Sequence, residues 1–178
     1  MRSLSRAFYL LGAMLIFAAA YLTWQRFTPT RLSFATRSVG DRLTVPTEFS
    51  PVRLRITRLK IDLPVIPTAL ENGKWTATDR GASYLVSTPL PGGIGNSVLY
   101  GHNWPNLLGR IVRIKPGDLI EIQLSDGTTR NFRVKYTATV TPDQTHILAP
   151  SDDKRITLYT CIGFLDSKRF VVTAIMEE

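Results

Sequence analysis

What this 178-residue chain has little of narrows its chemistry first. It holds one cysteine, Cys161, and two histidines, His102 and His146. One cysteine cannot close a disulfide within its own chain, so a disulfide-stapled scaffold is excluded. With so few nitrogen and sulfur ligands a zinc site would have to lean on carboxylates, and no ligand spacing supports one. Asp152-Asp153 is too small a group to assign calcium, and no cofactor is expected. Dense basic runs are missing as well. The first fifty residues carry six Lys/Arg against two Asp/Glu and the remainder sixteen against twelve, so the net charge of +8 is spread along the chain. That spread points to no nucleic-acid patch, although it is compatible with attraction to an anionic surface. The chain has no internal repeat and no low-complexity run. With 44% hydrophobic and 20% charged residues, it fits one globular domain plus something short.

The short addition is at the start. Residues 7–22 read AFYLLGAMLIFAAAYL, without a charge, between Arg2 and Arg6 on one side and Trp24, Gln25 and Arg26 on the other. With Thr23 and Trp24 the run reaches the length of a short membrane helix, roughly 17–25 residues. The pattern predicts one N-terminal transmembrane helix within residues 1–26, with a cytoplasmic N-terminus set by the arginines. Ala18-Ala19-Ala20 also resembles the cleavage site of a signal peptide, and both readings place the main domain outside the cell membrane. Residues 27–50, rich in Thr, Ser, Arg and Pro, read as an extended spacer, and residues 51–178 as the domain. In an exported domain a lone cysteine is a buried passive side chain, an intermolecular link or a reactive thiol.

The domain reads as strands. VRLRITRLKIDLPV alternates apolar and basic residues, with Val52, Leu54 and Ile56 on one side and Arg53 and Arg55 on the other. SVLYGH follows a Gly-rich turn. The stretch from Arg110 to Val140 predicts at least three strands, punctuated by KPGD and by the hairpin signal Asp126-Gly127. RITLYTC and RFVVTAIM close the chain. Short helices are expected only at Asp79–Tyr84 and Trp104–Leu108. Many short strands with turn signals imply an all-β, closed or nearly closed barrel.

Alternation sorts the last pair. Ile156, Leu158 and Thr160 share one face of their strand, and Thr157, Tyr159 and Cys161 share the other. The connection from Ile162 to Lys168 is short enough for a hairpin, which sets Arg169, and not Lys168, across from Cys161 at one rim. A thiol is a useful nucleophile only with a partner that stabilises the thiolate or takes its proton, usually histidine. His102 sits just past a strand end, where side chains gather at a rim. His146 sits in the polar connection TPDQTHILAP. Placement favours His102. Arg169 is either a solvated charge or a fixed cation for a substrate carbonyl or oxyanion.

TLYTC with Arg169 eight residues on, and YGH about sixty residues before, resembles the sortases, the membrane-anchored cysteine transpeptidases of bacterial cell surfaces. The likeness extends over ITRLKIDLPV, PGGIGNSVLYGH, IKPGDLIEI and RFVVTAIM. It implies a closed eight-stranded β-barrel. It implies that the enzyme cleaves an LPXTG-like sorting signal in exported proteins through a thioacyl intermediate and passes the acyl group to an amine, that of a peptidoglycan precursor, in cell-wall anchoring. It makes Cys161 the nucleophile, His102 the general acid and base, Arg169 the group that positions substrate or stabilises the oxyanion, and Thr160 a substrate contact. The chain stops right after its last strand, Val140 to Arg155 is a short connection, and seven residues separate Cys161 from Arg169. These features favour the smaller class D, E or F-like subclasses over the pilin-polymerising type. An L,D-transpeptidase would set its histidine much closer before the cysteine. A non-catalytic wall-binding barrel with a passive Cys161 is the other alternative.

Overall fold

The computed structural model describes residues 2–26, 49–71, 74–75 and 77–177. Most of the expected spacer, residues 27–48, lies outside the described residues. Helix α1 spans Arg2–Arg26. Among the described residues no helix is long and apolar enough to cross a membrane.

Ten strands follow: β1 (Pro51–Ile56), β2 (Ile61–Thr68), β3 (Leu70–Glu71), β4 (Lys74–Trp75), β5 (Ala82–Leu85), β6 (Gly95–Gly101), β7 (Leu119–Leu124), β8 (Thr129–Val140), β9 (Lys154–Ile162) and β10 (Lys168–Met176). Eight of them close a barrel in the order β1-β2-β5-β6-β9-β10-β8-β7, and β3 pairs with β4 apart from it. Neighbours run antiparallel except β2 with β5 and β6 with β9. The all-β barrel expectation is met, including the strand number implied by the family likeness.

The opening segment folds as two strands, not one. A 3-10 turn at Thr57–Leu59 and Lys60 in the left-handed region (φ 53°) reverse the chain between β1 and β2. A bulge between Pro51 and Arg53 shifts the register, so Val52 points outward instead of joining Leu54 and Ile56. Arg110–Val140 holds two strands rather than three. β8 is twelve residues long and pairs with both β7 and β10, while residues 108–113 wind into a 3-10 helix. The Asp126-Gly127 turn forms as expected, with Gly127 at φ 86° and the Asp126 carboxylate accepting from the Thr128 N–H at 2.9 Å.

Asp79–Tyr84 is not helical, and its second half is β5. Gly81 explains the difference: a Cβ there would stand 2.2 Å from the Pro64 carbonyl oxygen, so the backbone is pressed against β2 and enters the sheet directly. The expected helix at Trp104–Leu108 is a turn that leads into the 3-10 helix.

Two apolar clusters use the two faces of the same strands. Leu54, Leu99, Ile120, Phe132, Leu158 and Val172 belong to a cluster fed by all eight barrel strands, and this is the interior. Val98, Tyr100, Tyr159, Cys161 and Val171 alternate with those residues and form an outer cluster, with Ile147 and Leu148 packed on it. Both faces of β6 and β9 are therefore buried, as their continuous apolar runs require.

Asn96 pins the outer cover. Its Nδ2 donates to the carbonyls of Ile147 and Ala149, each at 3.2 Å, and its Oδ1 accepts from the Thr157 hydroxyl at 2.8 Å. Asn96→Ala strands these buried groups, and urea denaturation is expected to show a loss of about 3 kcal/mol.

Candidate active site

Strand pairing builds the site. β6 and β9 run parallel in a register that sets Gly101 beside Thr160, so the next residues along, His102 and Cys161, are neighbours at the strand ends. β9 and β10 run antiparallel with Arg169 directly opposite Cys161. Adjacent strands lie ~4.8 Å apart and side chains in one row share a face. His102, just past the end of β6, thus stands in one row with Cys161 on β9 and Arg169 on β10, at 7%, 3% and 3% exposure. The hairpin expected from spacing is present in the expected register, and Lys168 pairs with Ile162 instead.

Thr160 lies within the β6–β9 pairing. It is fully buried, and its hydroxyl donates to the Gly101 carbonyl at 2.8 Å. It ties the strand carrying Cys161 to the strand carrying His102. His146 is exposed on the 3-10 turn Thr145–Leu148. That turn is bonded to Asn96, six residues before His102 along β6, a run of roughly 20 Å. The structure does not bring His146 to the row.

Beneath the row the rings of Tyr100 and Tyr159 stack, with centroids 5.6 Å apart and planes 14° apart. Burial pushes the pKa of both phenols up, that of Tyr159 well above the usual range, so both stay neutral. They give Cys161 a dry, apolar floor.

The β9–β10 connection carries left-handed backbone at Gly163 (φ 83°), Leu165 (φ 51°) and Asp166 (φ 58°). A side chain costs energy there, on the order of 1 kcal/mol or more for Leu165 and Asp166. Arg169 offsets it, because its Nη1 donates to the Asp166 carbonyl at 2.7 Å and to the Lys168 carbonyl at 3.1 Å. Arg169 stands opposite Cys161 in the ladder, and its guanidinium holds the loop beside it.

Burial pushes the His102 imidazole below its ordinary titration range, and the carboxylates of Asp166 and Asp79 oppose that shift. The sequence did not flag these two acids. It also gave no sign of Trp104, whose indole lies flat on the His102 ring at 4.4 Å between centroids. A tryptophan two positions after a histidine carries no periodic signal, so only the folded loop reveals the contact. Among the described residues no group of three or more His, Cys, Asp or Glu side chains could hold a metal ion.

A closed eight-stranded barrel with a buried cysteine, histidine and arginine in one row defines a thiol-centred β-barrel class. The Sortase domain profile matches residues 54–177, and the chain belongs to the sortase family. Among solved structures it is similar to a lid mutant of sortase A from Corynebacterium diphtheriae, at 27% identity and TM-score 0.61, covering 75% of this chain and 73% of that one. It is similar to sortase A of Listeria monocytogenes at 25% identity and TM-score 0.60, covering 72% and 88%. Sortase C of Clostridium perfringens, solved with the C-terminal cell wall sorting motif, shares the fold at 24% identity and TM-score 0.61, covering 81% and 79%. A search of curated protein sequences gives no significant match. Family membership supports a cysteine transpeptidase role in general terms.

The lowered His102 value fixes a pH dependence of stability. Between the ordinary histidine value, about 6.5, and the lower folded one, the unfolded chain binds the proton and the folded chain does not, so stability falls as pH drops through that window. The buried-site effect lies above the carboxylate range, where Asp62, Asp118 and Asp153 are held low by their arginines. Thermal denaturation is expected to give a lower midpoint at pH 5.5 than at pH 7.5, and His102→Gln is expected to flatten that difference.

Proposed function

We propose that the protein is a cysteine transpeptidase that cleaves an LPXTG-like sorting signal in exported proteins and transfers the acyl group to an amine. The observation that carries this reading is the row itself: one buried thiol with an imidazole on one side and a guanidinium on the other.

The chemistry follows from the positions. As His102 takes the Cys161 thiol proton, the sulfur attacks the carbonyl carbon of the scissile peptide bond, and negative charge develops on the carbonyl oxygen. Arg169 supplies fixed positive charge beside that oxygen, in a site where burial strengthens it. As the C–N bond breaks, His102 gives its proton to the leaving amine, and a thioester remains on Cys161. An incoming amine then attacks the thioester, His102 takes the amine's proton, and the thiolate leaves. The bond energy is kept in the thioester, so the exchange needs no nucleotide. A peptidoglycan precursor is the acceptor this reading assigns, in keeping with cell-wall anchoring by one of the smaller subclasses. The Clostridium perfringens sortase C with its sorting motif lends support to this substrate class.

The same reading assigns α1 as the membrane anchor, with the N-terminus in the cytoplasm and the barrel outside. What supports it is the helix surface: Phe8, Tyr9, Leu10, Met14, Leu15, Ile16 and Phe17 are each at least 60% exposed. These positions cover every side of an α-helix, and such an apolar surface suits lipid better than water.

The test follows cleavage of LPXTG-like peptides by the full chain in detergent, with and without triglycine. Cys161→Ala is expected to abolish turnover, and His102→Ala and Arg169→Ala to lower it by about 10²-fold or more. His146→Ala is expected to match the parent. Turnover by Cys161→Ala would sink the proposal.

A further inference from the structure

The three members of the row are not held equally. Cys161 lies within β9 and Arg169 within β10, each in a paired ladder. His102 is one residue past the end of β6. No ladder fixes it, and the torsion that turns an imidazole about its Cβ–Cγ bond is soft. A residue that must deliver a proton in one half-reaction and take one in the next needs its ring in one plane.

Trp104 supplies that plane. The two rings are nearly parallel, 10° apart, with centroids 4.4 Å apart. The indole in turn packs against the barrel's interior cluster. Its backbone is clamped, because the Trp104 carbonyl accepts the N–H of Leu107 at 2.9 Å and of Gly109 at 3.0 Å. The Leu108 N–H donates to the His102 carbonyl at 3.1 Å and closes the loop on the histidine itself. Gly109 permits the clamp, since a Cβ there would stand 2.7 Å from the Trp104 oxygen. Pro105, the next residue, keeps the Trp104 backbone out of the helical region.

We propose that Trp104 is a positioning residue for His102: its indole holds the imidazole in the plane from which it serves the Cys161 thioester chemistry. This rests on the transpeptidase reading of the row. The indole face also favours the imidazolium that forms between proton transfers, so the stack supports both protonation states of the cycle while fixing one geometry.

The experiment compares Trp104→Phe, which keeps a flat face, with Trp104→Leu, which keeps apolar bulk without one, in the full chain in detergent. A misplaced catalytic group costs up to about 10²-fold. Trp104→Leu is expected to lower kcat by about 10- to 100-fold with KM changed less than about threefold, and Trp104→Phe to recover most of kcat. Full kcat in Trp104→Leu overturns the proposal, because bulk alone would then suffice. A raised KM with unchanged kcat also overturns it, by making Trp104 a substrate contact. A second readout needs no turnover. In NMR spectra the His102 ring protons are expected upfield of the exposed His146, shifted by the indole ring current. That displacement should persist in Trp104→Phe and vanish in Trp104→Leu. Its absence in the parent overturns the proposal, whereas an upfield His102 in a parent that turns over no peptide sinks the transpeptidase reading instead.

Discussion

The parallel pairing of β6 with β9 joins two strand ends that are far apart in the chain, and the Thr160–Gly101 hydrogen bond that spans them closes 59 residues. Parallel strands cannot be joined by a tight turn, so this pairing depends on everything wound between them. The 3-10 helix at 108–113 leads away from β6, β7 and β8 build the far wall, and the connection pinned by Asn96 returns the chain to β9. A register slip of one residue would turn Cys161 from the outer face to the barrel interior. The buried Thr157–Asn96 and Thr160–Gly101 bonds, one at each end of the shared run, resist that slip.

Because both faces of β6 and β9 are covered, the row sits in low dielectric. Burial, with two stacked tyrosines beneath, favours a neutral imidazole at His102, while Asp79 and Asp166 pull the other way. Burying the Arg169 guanidinium carries a desolvation cost. Its Nη1 bonds to the Asp166 and Lys168 carbonyls answer part of the cost of burying it. The same two bonds hold a left-handed loop that would otherwise relax. Charge at the site and strain in the loop are thus coupled through one side chain. The pairs Arg53–Asp62, Arg58–Asp118 and Arg133–Glu177 lie toward solvent, where ion pairs contribute little.

Much of the fold was legible because alternation and turn residues are local. The Asp126-Gly127 hairpin, the two faces of β9 and the Cys161–Arg169 register all follow from spacing within a few residues. The failures were tertiary. Asp79–Tyr84 has no strong propensity of its own, and the press of Gly81 against Pro64 decided its conformation. Val52 alternates correctly in sequence, but a bulge turned it out.

By itself the sequence determined the class of barrel, the single candidate nucleophile, and which arginine faces it, since one hairpin carries both residues and alternation is a property of any strand. It also preferred His102 to His146 by its place after a strand. Only the tertiary structure decided that His102 and Cys161 stand in one row, because that rests on a parallel register between distant strands. It also decided that Trp104 covers the imidazole and that Arg169 holds the loop beside the thiol. Those contacts come from loop closure and packing, which no periodicity in the chain encodes.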